Sequence, residues 1–163
     1  MLAPPRARDA SRLQQARLLA LVVPVVLLGG ALLSQYVGKL YPCEMCWWQR
    51  YPHAVAILFA VAACLSPLPA PRTRVLTLLA AMAIGVSGAI GAFHAGVEYG
   101  WWEGLTTCTT SGATSLEDIM AVPLVRCDQV QWQLAGISLA GFNAIFSLVG
   151  ALAILLFARK SAA

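Results

Sequence analysis

The sequence predicts an all-α membrane protein: an antiparallel bundle of four transmembrane helices, with a short surface helix in its second outer loop. Composition is the first observation behind this. Of 163 residues, 60% are hydrophobic and 11% charged, with mean hydropathy +0.74, whereas a soluble domain carries about 25% charge. The second is a set of four windows free of Asp, Glu, Lys and Arg: 18–38, 52–70, 75–97 and 134–158. Each is long enough to cross a hydrocarbon core of roughly 30 Å as a helix. The third is the absence of the ten-residue alternation that a membrane β-barrel requires. Residues 1–163 are thus expected to form one integral membrane domain, with outer loops at 39–51 and 98–133.

Charge sets the expected orientation. Arg6, Arg8, Arg12 and Arg17 precede the first span, Arg72 and Arg74 join the second to the third, and Arg159 and Lys160 follow the fourth. Lys39, Arg50 and Arg126 fall on the other side. The positive-inside bias therefore predicts that both termini are cytoplasmic. The net charge of +4 follows from topology, and arginines spread over helix ends argue against nucleic-acid binding.

Taken in order, residues 1–16 are polar, contain Pro4-Pro5, and read as a frayed tail or interfacial turn. The first span holds Pro24, a kink position. Its apolar core is too long for a signal peptide, and no small-x-small cleavage site follows it, so it is expected to be retained. The second span admits two starts. It begins near Cys43 and kinks at Pro52, or it begins at Pro52 as the first helical residue. Cys64, deep in that span, is expected to be a buried thiol acting as a small apolar residue. Ser66 to Pro71 forms a short, stiff turn, which forces antiparallel neighbours. Gly85, Ser87, Gly88, Gly91 and Ala92 of the third span would let another helix approach closely. In the following loop Trp101-Trp102 suits an interface. Thr106 to Thr114 is rich in Thr, Ser and Gly, and Ser115-Leu116-Glu117-Asp118 reads as the cap of a short surface helix through Val122.

The chemistry lies in the cysteines. Cys43-Glu44-Met45-Cys46 sits where a polar turn meets an apolar stretch, and Cys108 and Cys127 share the other long polar segment. A C-x-x-C pair can be half of a zinc site, a structural disulfide or a redox pair. Zinc would need a second pair of ligands, and the chain has His53 and His94 besides; no metal is expected. A two-residue spacing makes a tight ring, more often exchangeable than structural. A helix start lowers a thiol's pKa through its unpaired N–H groups, and Arg50, one turn beyond Cys46, adds positive charge on the same face. His94 is either a wet interfacial residue or a hydrogen-bond donor to a bound carbonyl compound, and His53 is read as interfacial. The two histidines lie at one end of the bundle, which argues against haem.

The run Pro42-Cys43-Glu44-Met45-Cys46-Trp47-Trp48-Gln49-Arg50-Tyr51-Pro52 resembles the P-C-x-x-C-x-x-Q-R-x-P signature of the DsbB family, the membrane quinone reductases of bacterial disulfide formation. The second cysteine pair, the four spans and the late histidine are similar to that family from Leu18 to Ala158. The resemblance implies a thiol:quinone oxidoreductase of the bacterial inner membrane with periplasmic loops, whose partners are a DsbA-like thiol oxidase, the quinone pool and the bilayer. It implies that Cys108 and Cys127 accept electrons from DsbA and that Cys43 and Cys46 pass them on. Cys46 then engages the quinone, with ubiquinone preferred to menaquinone, and Arg50 and His94 help to bind it. Glu44, which slightly opposes thiolate formation, and Glu98, where many members have an amide, are departures. The vitamin K epoxide reductase family also combines four helices, two cysteine pairs and a quinone, but with the pairs in the reverse order. A rival of another class is a non-catalytic scaffold stapled by disulfides, or a metal-binding protein.

Overall fold

A computed structural model describes residues 5–105 and 125–159. Four helices account for most of them: α1 (Pro5–Tyr36), α2 (Glu44–Cys64), α3 (Pro71–Glu98) and α4 (Leu139–Ala158). α1, α3 and α4 are long and apolar enough to cross a membrane. α2 is not among them, because Gln49, Arg50 and His53 interrupt its first half. The predicted surface helix from Ser115 to Val122, and Cys108 with it, lie outside the described residues.

The helices form a ring in which α2 packs on α1 and α3, and α4 on α3 and α1. Its centre is made of small side chains, with Ala20, Ala56, Ala60 and Ala80 fully buried around Ile84 and Ile154. Alanines bring backbones close, and close backbones supply the dispersion contacts that hold helices together where lipid removes the hydrophobic drive. The small face of α3 meets α4. A Cβ at Gly88 would lie 2.9 Å from Ser147 Cβ, and one at Gly91 would lie 2.9 Å from Asn143 Nδ2 and 3.0 Å from the Ala140 carbonyl oxygen. Ala92, expected on that face, is exposed.

Two helix starts differ from expectation, and the structure decides a third. α1 starts at Pro5, so residues 5–16 are helical and not frayed. Leu13 and Ala16 are fully buried, and the segment's arginines cap the C-termini of other helices. Arg12 Nη2 donates to the Leu156 carbonyl at 2.8 Å. Arg17 Nη1 donates to the carbonyls of Ala63, Cys64 and Ser66 at 3.2–3.4 Å. Arg74 pairs with Asp9 at 2.7 Å and donates to the Ala158 carbonyl. These carbonyls lie in or just after the last turn of a helix, at the negative end of its dipole.

α2 starts at Glu44 and runs through Pro52, which decides between the two starts left open above. α4 starts five residues later than the predicted span, because Gln133–Leu134 (β1) pairs antiparallel with Ile137–Ser138 (β2). The hairpin turns through Ala135 (φ 51°) and Gly136 (φ 79°), the two positive φ angles that a tight turn between strands demands. Tyr99 Oη donates to the Gly136 carbonyl and accepts from the Ser138 N–H, both at 2.9 Å. This pins the hairpin to the end of α3. Cys64 ends α2 and is half-buried rather than fully enclosed.

Candidate functional site

The bundle has an arginine-capped end, just described, and an opposite end where the start of α2 meets the end of α3 and the segment before α4. Cys43 is the N-cap of α2. Its sulfur accepts the Cys46 N–H at 3.3 Å, filling the place that Ser or Asp takes at most helix starts. The two sulfurs of the pair are 2.7 Å apart.

Their environments push them in opposite directions. The Cys43 thiol is pushed far up by its hydrogen bond with Cys127, then by that with Cys46 and by burial. The Cys46 thiol is lowered chiefly by the hydrogen bond from Cys43, with help from the backbone and from Arg50, against burial and Glu98. Of the two thiols, Cys46 is therefore the one that gives up its proton first.

Cys127 reaches the pair from the loop after α3. It is 1% exposed and packs with Cys43, Met45 and Val97. Arg126 and Asp128, on either side of it, pair with each other at 2.6 Å.

Beneath the sulfurs lies a chain of buried polar groups. His94 Nε2 is 3.6 Å from Cys43 Sγ and 3.9 Å from Glu98 Oε1, and its Nδ1 is 2.8 Å from Gln49 Nε2. Asn143 Nδ2 donates to Gln49 Oε1 at 2.8 Å, and Asn143 Oδ1 lies 2.9 Å from His53 Nε2. Ser87 Oγ donates to the Gln49 carbonyl at 2.8 Å and lies 2.9 Å from His53 Nε2. Of the two readings left open for His94, the wet one fails, since the residue is 2% exposed. His53 is likewise buried and not interfacial, because α3 and α4 offer it polar partners that lipid headgroups would otherwise supply.

Arg50 is also buried. Its Nη1 donates to Gln35 Oε1, its Nη2 donates to the Ala31 carbonyl at 3.1 Å, and the guanidinium lies 4.9 Å from the Trp47 ring centroid. Cys46, Gln49, Arg50 and His94 line a cavity of about 260 Å³ whose apolar wall comes from Ala31 of α1 and Phe142 of α4. Exposed Val26 and Gly30 of α1 also line it, so it opens on the outer surface of the bundle. The space suits a flat ring with polar edges, while a long apolar tail would have to lie outside.

By distance alone Cys43, Cys46 and His94, whose ligand atoms lie within 4.8 Å of one another, also form a group able to hold a metal ion. Cys43, Cys46, Arg50, His94 and Cys127 thus meet at one end of the bundle. Sequence reasoning gave Ser87 only a packing role and assigned nothing to Gln49 or Asn143. For Ser87 and Asn143 the available signal was an uncharged polar residue inside an apolar window, which in a membrane protein marks a bundle interior; Gln49 fell in the predicted outer loop.

Residues 13–157 match the family described as Disulfide bond formation protein DsbB. The uncharacterized protein RP370 of Rickettsia prowazekii (strain Madrid E) is similar at 22% identity over 160 residues, spanning 92% of this chain and 91% of its own length. No solved structure matches the chain.

Proposed function

Since the chain belongs to the DsbB family, and is therefore a membrane protein of disulfide formation, we propose that it re-oxidises a periplasmic DsbA-type dithiol oxidase and delivers the electrons to a membrane quinone. The observation that carries this reading is the contact of Cys127 with Cys43, whose sulfur in turn lies 2.7 Å from that of Cys46. A thiolate of the partner attacks the Cys108–Cys127 disulfide at Cys108. Cys127, released as thiolate, attacks Cys43 of the Cys43–Cys46 disulfide, and Cys46 leaves as thiolate beside the cavity. Per turnover two thiols of the partner become a disulfide, and the two electrons and two protons end on the quinol.

The quinone, here taken as ubiquinone, is the substrate that supplies the driving force. DsbA-type oxidases sit near −120 mV, so their re-oxidation needs a stronger acceptor; one roughly 200 mV more positive gives on the order of 9 kcal/mol. The DsbA–DsbB–quinone relay is the known means by which the bacterial periplasm is kept oxidising. The protein contributes arrangement: Arg50 offers donors at the cavity edge, and the Cys43 hydrogen bond lowers the pKa of Cys46.

The same reading makes α2 the fourth span, shielded by its neighbours where it is polar, and puts the cysteine end in the periplasm with both termini in the cytoplasm of the inner membrane. The arginines at the opposite end favour that orientation.

The test is to mix purified protein, reduced DsbA-type partner and quinone, and to follow quinol. Wild type is expected to turn over, while Cys46→Ser traps the mixed disulfide with the partner and forms no quinol. Normal turnover by that variant would refute the assignment. The grouping of Cys43, Cys46 and His94 leaves a metal-binding or stapled scaffold as the second reading. Structural disulfides stay oxidised below about −300 mV, whereas a relay reduces readily and re-oxidises when quinone is added.

A further inference from the structure

The polar chain beneath the sulfurs decides which nitrogen of His94 carries the proton. Gln49 Nε2 lies 3.1 Å from the Met45 carbonyl oxygen and 2.8 Å from His94 Nδ1. Gln49 Oε1 faces Asn143 Nδ2. Reversing the Gln49 amide would set its oxygen against the Met45 carbonyl and its NH2 against that of Asn143. Asn143 cannot reverse in concert. Its Nδ2 also donates to the Ser87 carbonyl at 3.2 Å, and its Oδ1 accepts from Ser147 Oγ at 3.0 Å. Two backbone carbonyls, each able only to accept, therefore anchor both amides.

Both protons of the Gln49 amide are committed, and the one facing His94 requires a lone pair on Nδ1. A neutral His94 then carries its proton on Nε2, the nitrogen next to Cys43 Sγ and Glu98 Oε1. An imidazolium would set an N–H of His94 against an N–H of Gln49.

We infer that Gln49, held by Asn143, fixes His94 as a neutral Nε2–H donor aimed at Cys43, so that His94 steadies the Cys43 thiolate and does not act as the base that takes its proton. This inference deepens the relay proposed above and rests on it for its use. When an incoming thiolate attacks Cys127 of a Cys43–Cys127 disulfide, a new S–S bond forms at Cys127 and the old one breaks. The electron pair leaves on Cys43, and no proton accompanies it. A thiol leaves faster when its anion is stabilised, and an N–H donor already in place does this without rearrangement. His94 is thus a catalytic residue of the exchange, while Gln49 and Asn143 are positioning residues.

The titratable and charged groups around His94 are Cys43 and Cys46 of α2, Cys127 of the loop, Glu98 of its own helix and, across the cavity, Arg50. α4 brings the neutral Asn143 to this network. The same tautomer points an N–H, not a lone pair, at the position a metal would take between the sulfurs and the ring.

The test is the imidazole 15N spectrum of the full-length, histidine-labelled protein in detergent micelles, with His94 assigned by its loss in His94→Gln. The wild type is expected to show a protonated Nε2 and an unprotonated Nδ1 that do not shift between about pH 8 and pH 5, the range in which an ordinary histidine titrates. In Gln49→Glu a carboxylate faces Nδ1 and accepts a hydrogen bond from an N–H there, so the His94 signals are expected to move to the Nδ1–H or imidazolium pattern and to titrate. A wild-type proton on Nδ1, a wild-type titration in that range, or a Gln49→Glu spectrum like wild type would each overturn the inference. The wild-type measurement needs no variant at Gln49 to fold. It is also independent of quinone reduction, so failure of the relay and failure of the tautomer are read separately.

Discussion

Replacing Arg50 by lysine keeps the charge and removes the fork, which makes it the sharpest probe of the cavity. Arg50 is 8% exposed. One side of its guanidinium is spent on Gln35 and the Ala31 carbonyl, and its face lies against Trp47. A lysine ammonium can restore one of those two bonds but cannot span both and still present a donor to the cavity. A hydrogen bond to a charged group contributes about 1.5–3 kcal/mol, so losing one donor to a bound carbonyl oxygen should lower kcat/KM for quinone by about ten- to a hundredfold, mostly through KM. The acidity of Cys46 should respond much less, because Cys43 is the main cause of its lowering and Arg50 the weakest. The assay is quinol formation at varied quinone and pH with saturating reduced partner. Expected is a large rise in KM with little movement of the pH profile. An unchanged KM would reduce Arg50 to a strut between α1 and α2, and an alkaline shift of the profile without a KM effect would reverse the roles argued here.

Cys43→Ala should raise the Cys46 pKa, whereas Cys43→Ser, which still offers a donor, should hold it low. Since alkylation requires the thiolate, the alkaline rise in Cys46 labelling, followed by peptide mapping, should move to higher pH in the alanine variant only. Gly91→Leu forces even its Cβ against Asn143 and the α4 backbone, and should cost about 1–3 kcal/mol by overpacking. Gly85→Ala, whose Cβ would find an ordinary contact at 3.8 Å, is the control that should keep the wild-type Tm. Arg74→Ala removes a largely buried ion pair with Asp9 and a cap on α4. It should cost about 1–2 kcal/mol, between the exposed and fully buried cases, and should expose the start of α1 to protease; unchanged cleavage there would show that Leu13 and Ala16 alone hold it.

Most of the bundle was legible in the chain because the membrane criterion is one-dimensional. A run without charge either lies out of water or does not, and the windows 75–97 and 134–158 each fall within, or within a few residues of, an observed helix. The misplaced boundaries have a common origin: residues 5–16 and 134–138 are set by partners distant in sequence, namely the helix-end carbonyls for Arg12 and Arg17 and the Tyr99 hydroxyl for the hairpin. The candidate site divides in the same way. Cys43, Cys46 and Arg50 stand within two turns of one helix, so their spacing alone announces them. Gln49 and Asn143 meet across 94 residues, and no local pattern encodes that.

The chain by itself thus determined that a C-x-x-C pair would stand where a polar turn meets an apolar bundle, because hydropathy is a property of neighbouring residues, while the structure decided that Cys43 caps the helix. Only the tertiary structure decided that Cys127 would lie against Cys43 and that two amides would orient His94. Those contacts depend on how four helices are rotated about their axes, and the rotation is set by the joint packing of alanine and glycine faces from every helix at once.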